Sequence, residues 1–201
     1  MRGTRGAKSI IFVISGPSGS GKSTLLARLV ARRSLRRLLV KSVSLTTRPK
    51  RSKERQGRDY FFVSRIEFKR LLARKKILES TRYLGYDYGT PVSILNQAQE
   101  KSRSLLLCLD LKGALNIKRL YPQRTVLIFV QPPSVDELRS RIRKRCSKTS
   151  GREVDRRLNL ARREMTQAAR YDYRVMNEDL KGAVGRLKKI ILKEIGNRSE
   201  E

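Results

Sequence analysis

Residues 10–30 constrain the fold more than any other part of the sequence. Residues 10–15 form an apolar run of strand length, and residues 16–23 read Gly-Pro-Ser-Gly-Ser-Gly-Lys-Ser, the pattern G-x-x-x-x-G-K-[ST]. Leu25, Leu26 and Leu29 then recur at helical spacing. This order of strand, glycine-rich loop and helix predicts a site where loop amides and a helix N-terminus bind phosphate groups.

The residues of this loop have distinct predicted roles. Lys22 is expected to reach the β- and γ-phosphates of a nucleoside triphosphate, and the Ser23 hydroxyl is expected to bind a magnesium ion. A glycine-rich turn without a ligand is the alternative, but the strand and helix on either side argue against it. The residues of the loop predicted to bind the nucleoside triphosphate are Gly16, Pro17, Ser18, Gly19, Ser20, Gly21, Lys22, Ser23 and Thr24.

Composition excludes several other classes of protein. The chain has 201 residues, a length typical of one domain, and no histidine, which excludes His-dependent catalysis and His-ligated zinc. No apolar run approaches the roughly 20 residues that cross a bilayer, and the run at residue 10 enters the loop rather than a signal-peptide cleavage site. Cys108 and Cys146 do not make a disulfide framework or a metal site. We therefore expect a cytoplasmic protein with no membrane segment.

Apolar runs of strand length alternate with segments of helical period along the chain. This alternation predicts an α/β fold with a doubly wound, mostly parallel five-stranded sheet. Residues 44–97 break the rhythm and are interpreted as an insertion. Ser64 with Glu67, and Ser134 with Glu137, have the spacing of a capping box and predict helix starts. The predicted core strands are residues 10–15, 38–43, 105–109, 126–130 and 173–176.

Several ordered segments resemble the guanylate kinase family. Beside the phosphate loop, they are residues 42–51 (SVSLTTRPKR), 57–63 (GRDYFFV), 85–90 (GYDYGT), 132–134 (PPS) and 177–179 (NED). The resemblance implies phosphoryl transfer from ATP to GMP, giving ADP and GDP, with Mg²⁺. It also implies a single P-loop kinase domain over residues 1–201, whose parts are a core (9–43, 98–138 and 164–196), a GMP-binding insert (44–97) and a helical lid (139–163).

Residues of the insert suit a guanosine monophosphate. Two guanidinium groups and two phenol hydroxyls fit a dianionic phosphate, and the resemblance assigns Arg48, Arg51, Tyr60 and Tyr88 to this role. Guanine presents N1–H and N2–H₂ donors that need acceptors, and the resemblance assigns the base to Ser44, Glu79, Thr90 and Asp110. The alternative from the residues alone is a solvated basic strand, core tyrosines, an exposed glutamate and a helix-capping aspartate.

The arginine-rich residues 139–157 resemble the lid that closes on the triphosphate. Arginines there can stabilise the charge of a transferring phosphoryl group. Arg141, Arg145 and Arg157 match the catalytic positions, to which Lys22 and Arg48 are added. One extra residue between Arg145 and Arg157 leaves Arg156 as an alternative. Asn177 matches the position that contacts adenine.

Two positions depart from the family pattern. Where the family commonly has Asp-x-Asp, this chain has Cys108-Leu109-Asp110, and Lys112 stands in place of a common glutamine. The missing carboxylate is the one associated with magnesium. We therefore expect Ser23 and the nucleotide phosphates to hold the ion, and activity that is weaker or needs more magnesium.

The charge adds a second hypothesis. The chain has 48 Lys plus Arg against 18 Asp plus Glu, a formal net charge of +30, which attracts polyanions. The alternative function is a diverged kinase-like scaffold that acts mainly as a nucleic-acid-binding protein, although no base-reading motif is visible. Much of the charge also suits a solvated surface. Besides GMP and ATP, RNA is therefore a candidate partner, and both monomer and homodimer remain open.

Overall fold

The computed structural model describes residues 9–145 and 151–198. Its elements, in chain order, are β1 (Ile11–Ser15), α1 (Lys22–Ala31), α2 (Arg33–Arg36), β2 (Leu39–Lys41), β3 (Leu45–Thr46), β4 (Phe61–Phe62), α3 (Arg65–Ala73), β5 (Ile77–Tyr83), β6 (Tyr86–Pro91), α4 (Val92–Glu100), β7 (Ser104–Cys108), α5 (Leu111–Leu120), β8 (Thr125–Gln131), α6 (Val135–Arg145), α7 (Gly151–Thr166), a short 3₁₀ helix (Ala168–Arg170), β9 (Tyr173–Met176) and α8 (Leu180–Asn197).

The main sheet has five parallel strands in the order β2-β7-β1-β8-β9. Its central strands are near-continuous apolar runs because both faces of the sheet are covered by helices. The chain runs from β1 to the β2 side and later returns to β8 on the other side of β1. Ligands of such sheets bind at the carboxyl ends of the strands, at the point where the strand order reverses. The predicted doubly wound five-stranded sheet is confirmed.

Side chains of β1 alternate between two hydrophobic layers. Phe12 and Ile14 pack in the layer that contains α1 and α8 residues, whereas Ile11 and Val13 pack with residues of α4 and α5. All four side chains have no exposed surface. The strand is therefore fixed from both sides, and so is the loop that follows it.

Most of the insertion forms a second sheet, with strand order β4-β3-β6-β5. Strands β5 and β6 are an antiparallel hairpin whose turn residues, Leu84 and Gly85, both have positive φ (50° and 83°). A two-residue turn with this geometry matches the right-handed twist of the strands. Helix α4 then returns to the core, where Leu95 and Ala98 are buried. The second sheet thus lies over the carboxyl ends of the main sheet.

Both predicted capping positions are used. The Glu67 amide donates to Ser64 Oγ at 3.1 Å, and the Glu137 amide donates to Ser134 Oγ at 3.0 Å. Helices α6 and α7 pack together through a small apolar cluster of their own, Leu138, Ile142, Val154, Leu158 and Ala161. Within the described ranges, every helix is too short or too polar to span a membrane.

The buried sheet should dominate stability. Ile128 on β8 has no exposed surface, whereas Ile66 on α3 is 82% exposed. We expect Ile128→Ala to lower the free energy of unfolding by about 2–5 kcal/mol, since it leaves a cavity in the core. The matched change Ile66→Ala should alter it by about 0.5 kcal/mol or less. Urea unfolding measures both, and equal losses would contradict the assigned core.

Candidate active site

The phosphate-binding loop is packed tightly against the ends of two strands. A Cβ on Gly16 (φ +138°) would lie 2.3 Å from the Val130 carbonyl oxygen, and one on Gly21 (φ +91°) would lie 2.4 Å from Asn177 Nδ2. Only glycine suits these positions, because other residues rarely adopt such φ values and would overlap packed atoms. This packing fixes the backbone conformation of the loop.

Lys22 and Ser23 begin α1 at the end of this loop. Lys22 Nζ donates to the carbonyl oxygens of Gly16 and Pro17, the second at 2.9 Å. Ser20 is fully buried, and its amide donates to the Pro17 carbonyl at 3.1 Å. Of the predicted loop residues, those lining the adjoining cavity are Gly16, Ser18, Gly19, Gly21, Lys22, Ser23 and Thr24.

Asn177 binds the backbone of the phosphate loop. It directly follows β9, is 6% exposed, and its side-chain amide donates to the Ser20 carbonyl at 2.8 Å. It does not line the cavity, so the structure places it as a brace of the loop. The predicted contact with adenine stays a prediction.

The cavity has a volume of 490 Å³ and lies between the loop, the second sheet and α7. This volume lies within the usual range for small-molecule sites. The cavity brings together many of the residues predicted to bind the second nucleotide. Those that line it are Ser44, Arg48, Arg51, Tyr60, Glu79, Tyr88 and Asp110.

Arg48 is held in place by groups around it. Its Nη2 donates to both Glu54 carboxylate oxygens, at 2.8 and 2.9 Å, and its guanidinium lies 5.4 Å from the Tyr60 ring centroid. Burial acts to raise the pKa of Glu54, but hydrogen bonds from Arg48 and the Arg51 amide outweigh it and lower that pKa. Tyr60 and Tyr88 meet edge to face at 6.0 Å. These contacts orient a cation and two phenols at one end of the cavity.

Two carboxylates occupy another part of the cavity. Glu79 is 7% exposed, and its Oε1 accepts from Thr90 Oγ1 at 2.7 Å. Asp110 accepts from the Gly113 amide at 2.8 Å and from Thr81 Oγ1 at 2.9 Å. Thr90 is fully buried, so it acts on Glu79 and does not line the cavity. The arrangement offers hydrogen-bond acceptors to a ligand that carries N–H donors.

The pKa of Glu79 is raised to about 7. Burial is the main cause, and repulsion from Asp110 adds to it, whereas hydrogen bonds from Thr90 oppose it. Two carboxylates that share a partly dry site favour the protonated form of one of them. Donors supplied by a ligand would reverse that preference.

Arginines of the lid reach the same cavity. Arg141 on α6 and Arg157 on α7 line it, and Arg141 Nε donates to Glu137 Oε1 at 2.8 Å. Arg156 lines an adjoining cavity that shares Asp110 and Glu164 with the first, whereas Arg157 lines the first cavity itself. The side chain of Arg145 lies outside the described part of the chain.

Sequence reasoning missed several residues of the site. One of them, Glu54, accepts a hydrogen bond from Arg48, and another, Thr81, donates one to Asp110. The cavity is also lined by Tyr83 and Glu164. No motif marks these side chains. The roles of Thr81, Tyr83 and Glu164 depend on contacts between distant segments, whereas Glu54 contacts its near neighbours Arg48 and Arg51. Cys108 also lines the cavity, and burial raises the pKa of its thiol.

The parallel sheet, the phosphate loop and the cavity beneath α6 and α7 have the architecture of a P-loop kinase. Comparison with known proteins narrows this class. The family model described as "Guanylate kinase" matches residues 8–194. The chain therefore belongs to the guanylate kinase family.

Individual relatives agree with this assignment over nearly the whole chain. A guanylate kinase of Wolbachia sp. subsp. Brugia malayi is 40% identical, over 96% of both chains. One of Syntrophotalea carbinolica is 42% identical over 92% of this chain and 86% of the relative. The crystal structure of a guanylate kinase from Anaplasma phagocytophilum matches with a TM-score of 0.75 and 34% identity, over 94% of this chain and 87% of that one.

The brace of the loop can be tested by removing it. We expect Asn177→Ala to raise the KM for ATP about 5- to 20-fold, since the Ser20 carbonyl loses its donor and the loop loses its fixed shape. The KM for GMP should change less than twofold. Steady-state kinetics measure both, with the exposed Asn96→Ala as control. An equal effect of the two variants on ATP would contradict the role of Asn177.

The buried carboxyl of Glu79 should make stability depend on pH. Its pKa is raised in the folded state, so the folded chain binds more protons than the unfolded chain, and stability falls as pH rises from about 5 to about 8. We expect Glu79→Gln to reduce this fall by on the order of 2 kcal/mol. Urea unfolding at both pH values measures it, with the exposed Glu100→Gln as control. The same fall in wild type and Glu79→Gln would contradict the assigned ionisation.

Proposed function

We propose that this chain is a guanylate kinase that transfers the γ-phosphoryl group of ATP to GMP, giving ADP and GDP. One observation carries the proposal: a single cavity combines the phosphate loop, a cluster of arginines and tyrosines, and the buried carboxylates Glu79 and Asp110. The alternative of a scaffold that acts mainly in nucleic-acid binding has no support from the comparisons, whose relatives carry the name guanylate kinase.

Guanine is the base that fits the acceptor end. Its N1–H and N2–H₂ groups donate to Glu79 and Asp110. Ser44 lines the same cavity, and Thr90 acts on the base through its hydrogen bond to Glu79. Adenine lacks these donors and would leave buried acceptors unpaired, which a binding site penalises strongly. The raised pKa of Glu79 supports this assignment, because burial disfavours its charged form and the donors of guanine would offset that cost.

The monophosphate of GMP fits Arg48, Arg51, Tyr60 and Tyr88. A phosphate dianion takes paired N–H bonds from guanidinium groups. Glu54 holds Arg48 in the cavity before the ligand arrives, so less side-chain entropy is lost on binding.

ATP occupies the phosphate loop. Lys22 exchanges the carbonyls of Gly16 and Pro17 for phosphate oxygens, which are stronger acceptors because they are charged. Arg141 and Arg157, with the expected Arg145, stabilise charge on the transferred group. Asn177 is proposed to contact adenine as well as to brace the loop.

Magnesium is the expected cofactor of this reaction. Among the described residues, no cluster of three or more Asp, Glu, Cys or His side chains could coordinate a metal ion. Mg²⁺ does not need such a set of protein ligands, since it keeps several waters and binds phosphate oxygens. Ser23 would hold it beside Lys22, and the ion would supply charge that offsets the phosphates.

The division into core (9–43, 98–138 and 164–196), GMP-binding insert (44–97) and lid (139–163) stays a prediction. So do a cytoplasmic location and the choice between monomer and homodimer.

An acceptor series tests the proposed function. We expect the chain to phosphorylate GMP with a kcat/KM roughly 10⁴-fold or more above that for AMP, CMP and UMP. Lys22→Ala should lower GMP phosphorylation by more than about 10²-fold while leaving the fold intact. A coupled assay of ADP release measures both, with the exposed Lys189→Ala as control. Phosphorylation of AMP within tenfold of GMP would contradict the guanine site.

Polyanion binding is a further expectation from the +30 charge. We expect RNA to inhibit GMP phosphorylation at about 20 mM salt and to lose this effect near physiological salt, since six neutralised phosphates cost roughly 10³ in affinity between 50 and 200 mM. A rate that is indifferent to RNA at low salt would show that the cations are dispersed surface charge.

A further inference from the structure

Glu164 is a buried carboxylate that the proposed substrate contacts do not use. It lies near the end of α7, is 6% exposed, and lines the same cavity as Lys22 and Asp110. Within residues 9–145 and 151–198, its Oε2 atom has no hydrogen-bond partner. Burying a carboxyl oxygen without a hydrogen-bond partner is energetically costly. Because this oxygen lies at a cavity, we expect a bound ligand to provide the partner.

The charges around Glu164 place it beside the phosphate-transfer groups. Burial raises its pKa to about 7; attraction to Lys22 opposes this, and repulsion from Asp110 adds to it. A hydrogen bond from Tyr83 of the second sheet also acts on it. Arg157 lies about two helical turns earlier on α7 and lines the same cavity. The end of α7 thus places a carboxyl group in the cavity that Lys22 lines.

The other two carboxylates of the cavity are already engaged. Both oxygens of Asp110 accept hydrogen bonds, one from Gly113 and one from Thr81, and Glu79 accepts from Thr90. Position 108 has a thiol in place of a carboxylate. Burial raises the pKa of this thiol, and the charge of Lys22 acts to lower it. The proposed function assigns Glu79 and Asp110 to guanine, whereas Glu164 has a buried oxygen for which the described residues provide no hydrogen-bond partner. It lines the same cavity as Lys22.

From this arrangement we infer that Glu164 is a positioning residue for the metal: its carboxylate accepts hydrogen bonds from the water shell of the Mg²⁺ bound with ATP. The inference rests on the proposed function, because it assumes ATP in the phosphate loop. Mg²⁺ retains waters in phosphate sites, and each of those waters needs an acceptor. With a cysteine at position 108, Glu164 provides that acceptor in this chain.

Metal affinity, rather than turnover, tests this role. Mn²⁺ is titrated into the protein with the β,γ-imido analogue of ATP and no GMP, and free Mn²⁺ is measured by electron paramagnetic resonance. Loss of an outer acceptor usually weakens metal binding by about 10- to 100-fold. We expect Glu164→Gln to weaken Mn²⁺ binding by at least tenfold, and the exposed control Glu100→Gln to leave it unchanged.

Two further variants distinguish a loss of metal binding from a loss of folding. Urea unfolding establishes that Glu164→Gln is folded, and Glu164→Asp, which keeps the charge, should retain most of the Mn²⁺ affinity. In the Glu164→Gln background, Cys108→Asp should restore Mn²⁺ binding, since it returns a carboxylate to the vicinity of Lys22.

Wild-type Mn²⁺ affinity in Glu164→Gln would overturn the inference, as would failure of Cys108→Asp to restore a weakened site. Neither result touches the proposed function, which fails only if the wild-type chain does not phosphorylate GMP.

Discussion

The close packing of the phosphate loop against the ends of β8 and β9 is the contact on which the rest of the site depends. Gly16 meets the Val130 carbonyl and Gly21 meets the Asn177 amide at distances that admit no side chain. Because β1 is buried on both faces, the loop starts from a fixed point. This fixed loop also sets where Lys22 enters the cavity.

The cavity combines cationic side chains with carboxyl groups that offset their charge. Lys22 and the arginines of the insert and lid would repel one another in an empty site, and carboxylates offset them. Glu54 pairs with Arg48, whereas Glu79 and Glu164 stay buried with raised pKa values of about 7. Hydrogen-bond donors and cations supplied with the substrates would favour the ionised form of both carboxyl groups. The site is thus prepared for two nucleotides and their phosphates.

The sequence predicted the parts of this structure that depend on local chemistry. The phosphate loop has a motif, and the three central strands β7, β1 and β8 are apolar runs because both of their faces are buried. The turn at Leu84 was not predicted, since a leucine with positive φ carries no turn signal and only Gly85 marks it. Glu164 was missed for another reason: it lies in one cavity with residues that are distant in sequence, such as Lys22 and Asp110. Glu54 pairs with Arg48 only six residues away, but no motif marks this pair.

The central claim is that one cavity of this chain holds both nucleotides, with guanine at the carboxylates and ATP at the phosphate loop. Calorimetry with a single molecule in which adenosine and guanosine are joined 5′ to 5′ through a polyphosphate chain tests it most directly. The account predicts that one such molecule binds per chain and prevents the binding of both ATP and GMP. Unchanged GMP affinity in its presence would show that the two nucleotides use separate sites and would contradict the account.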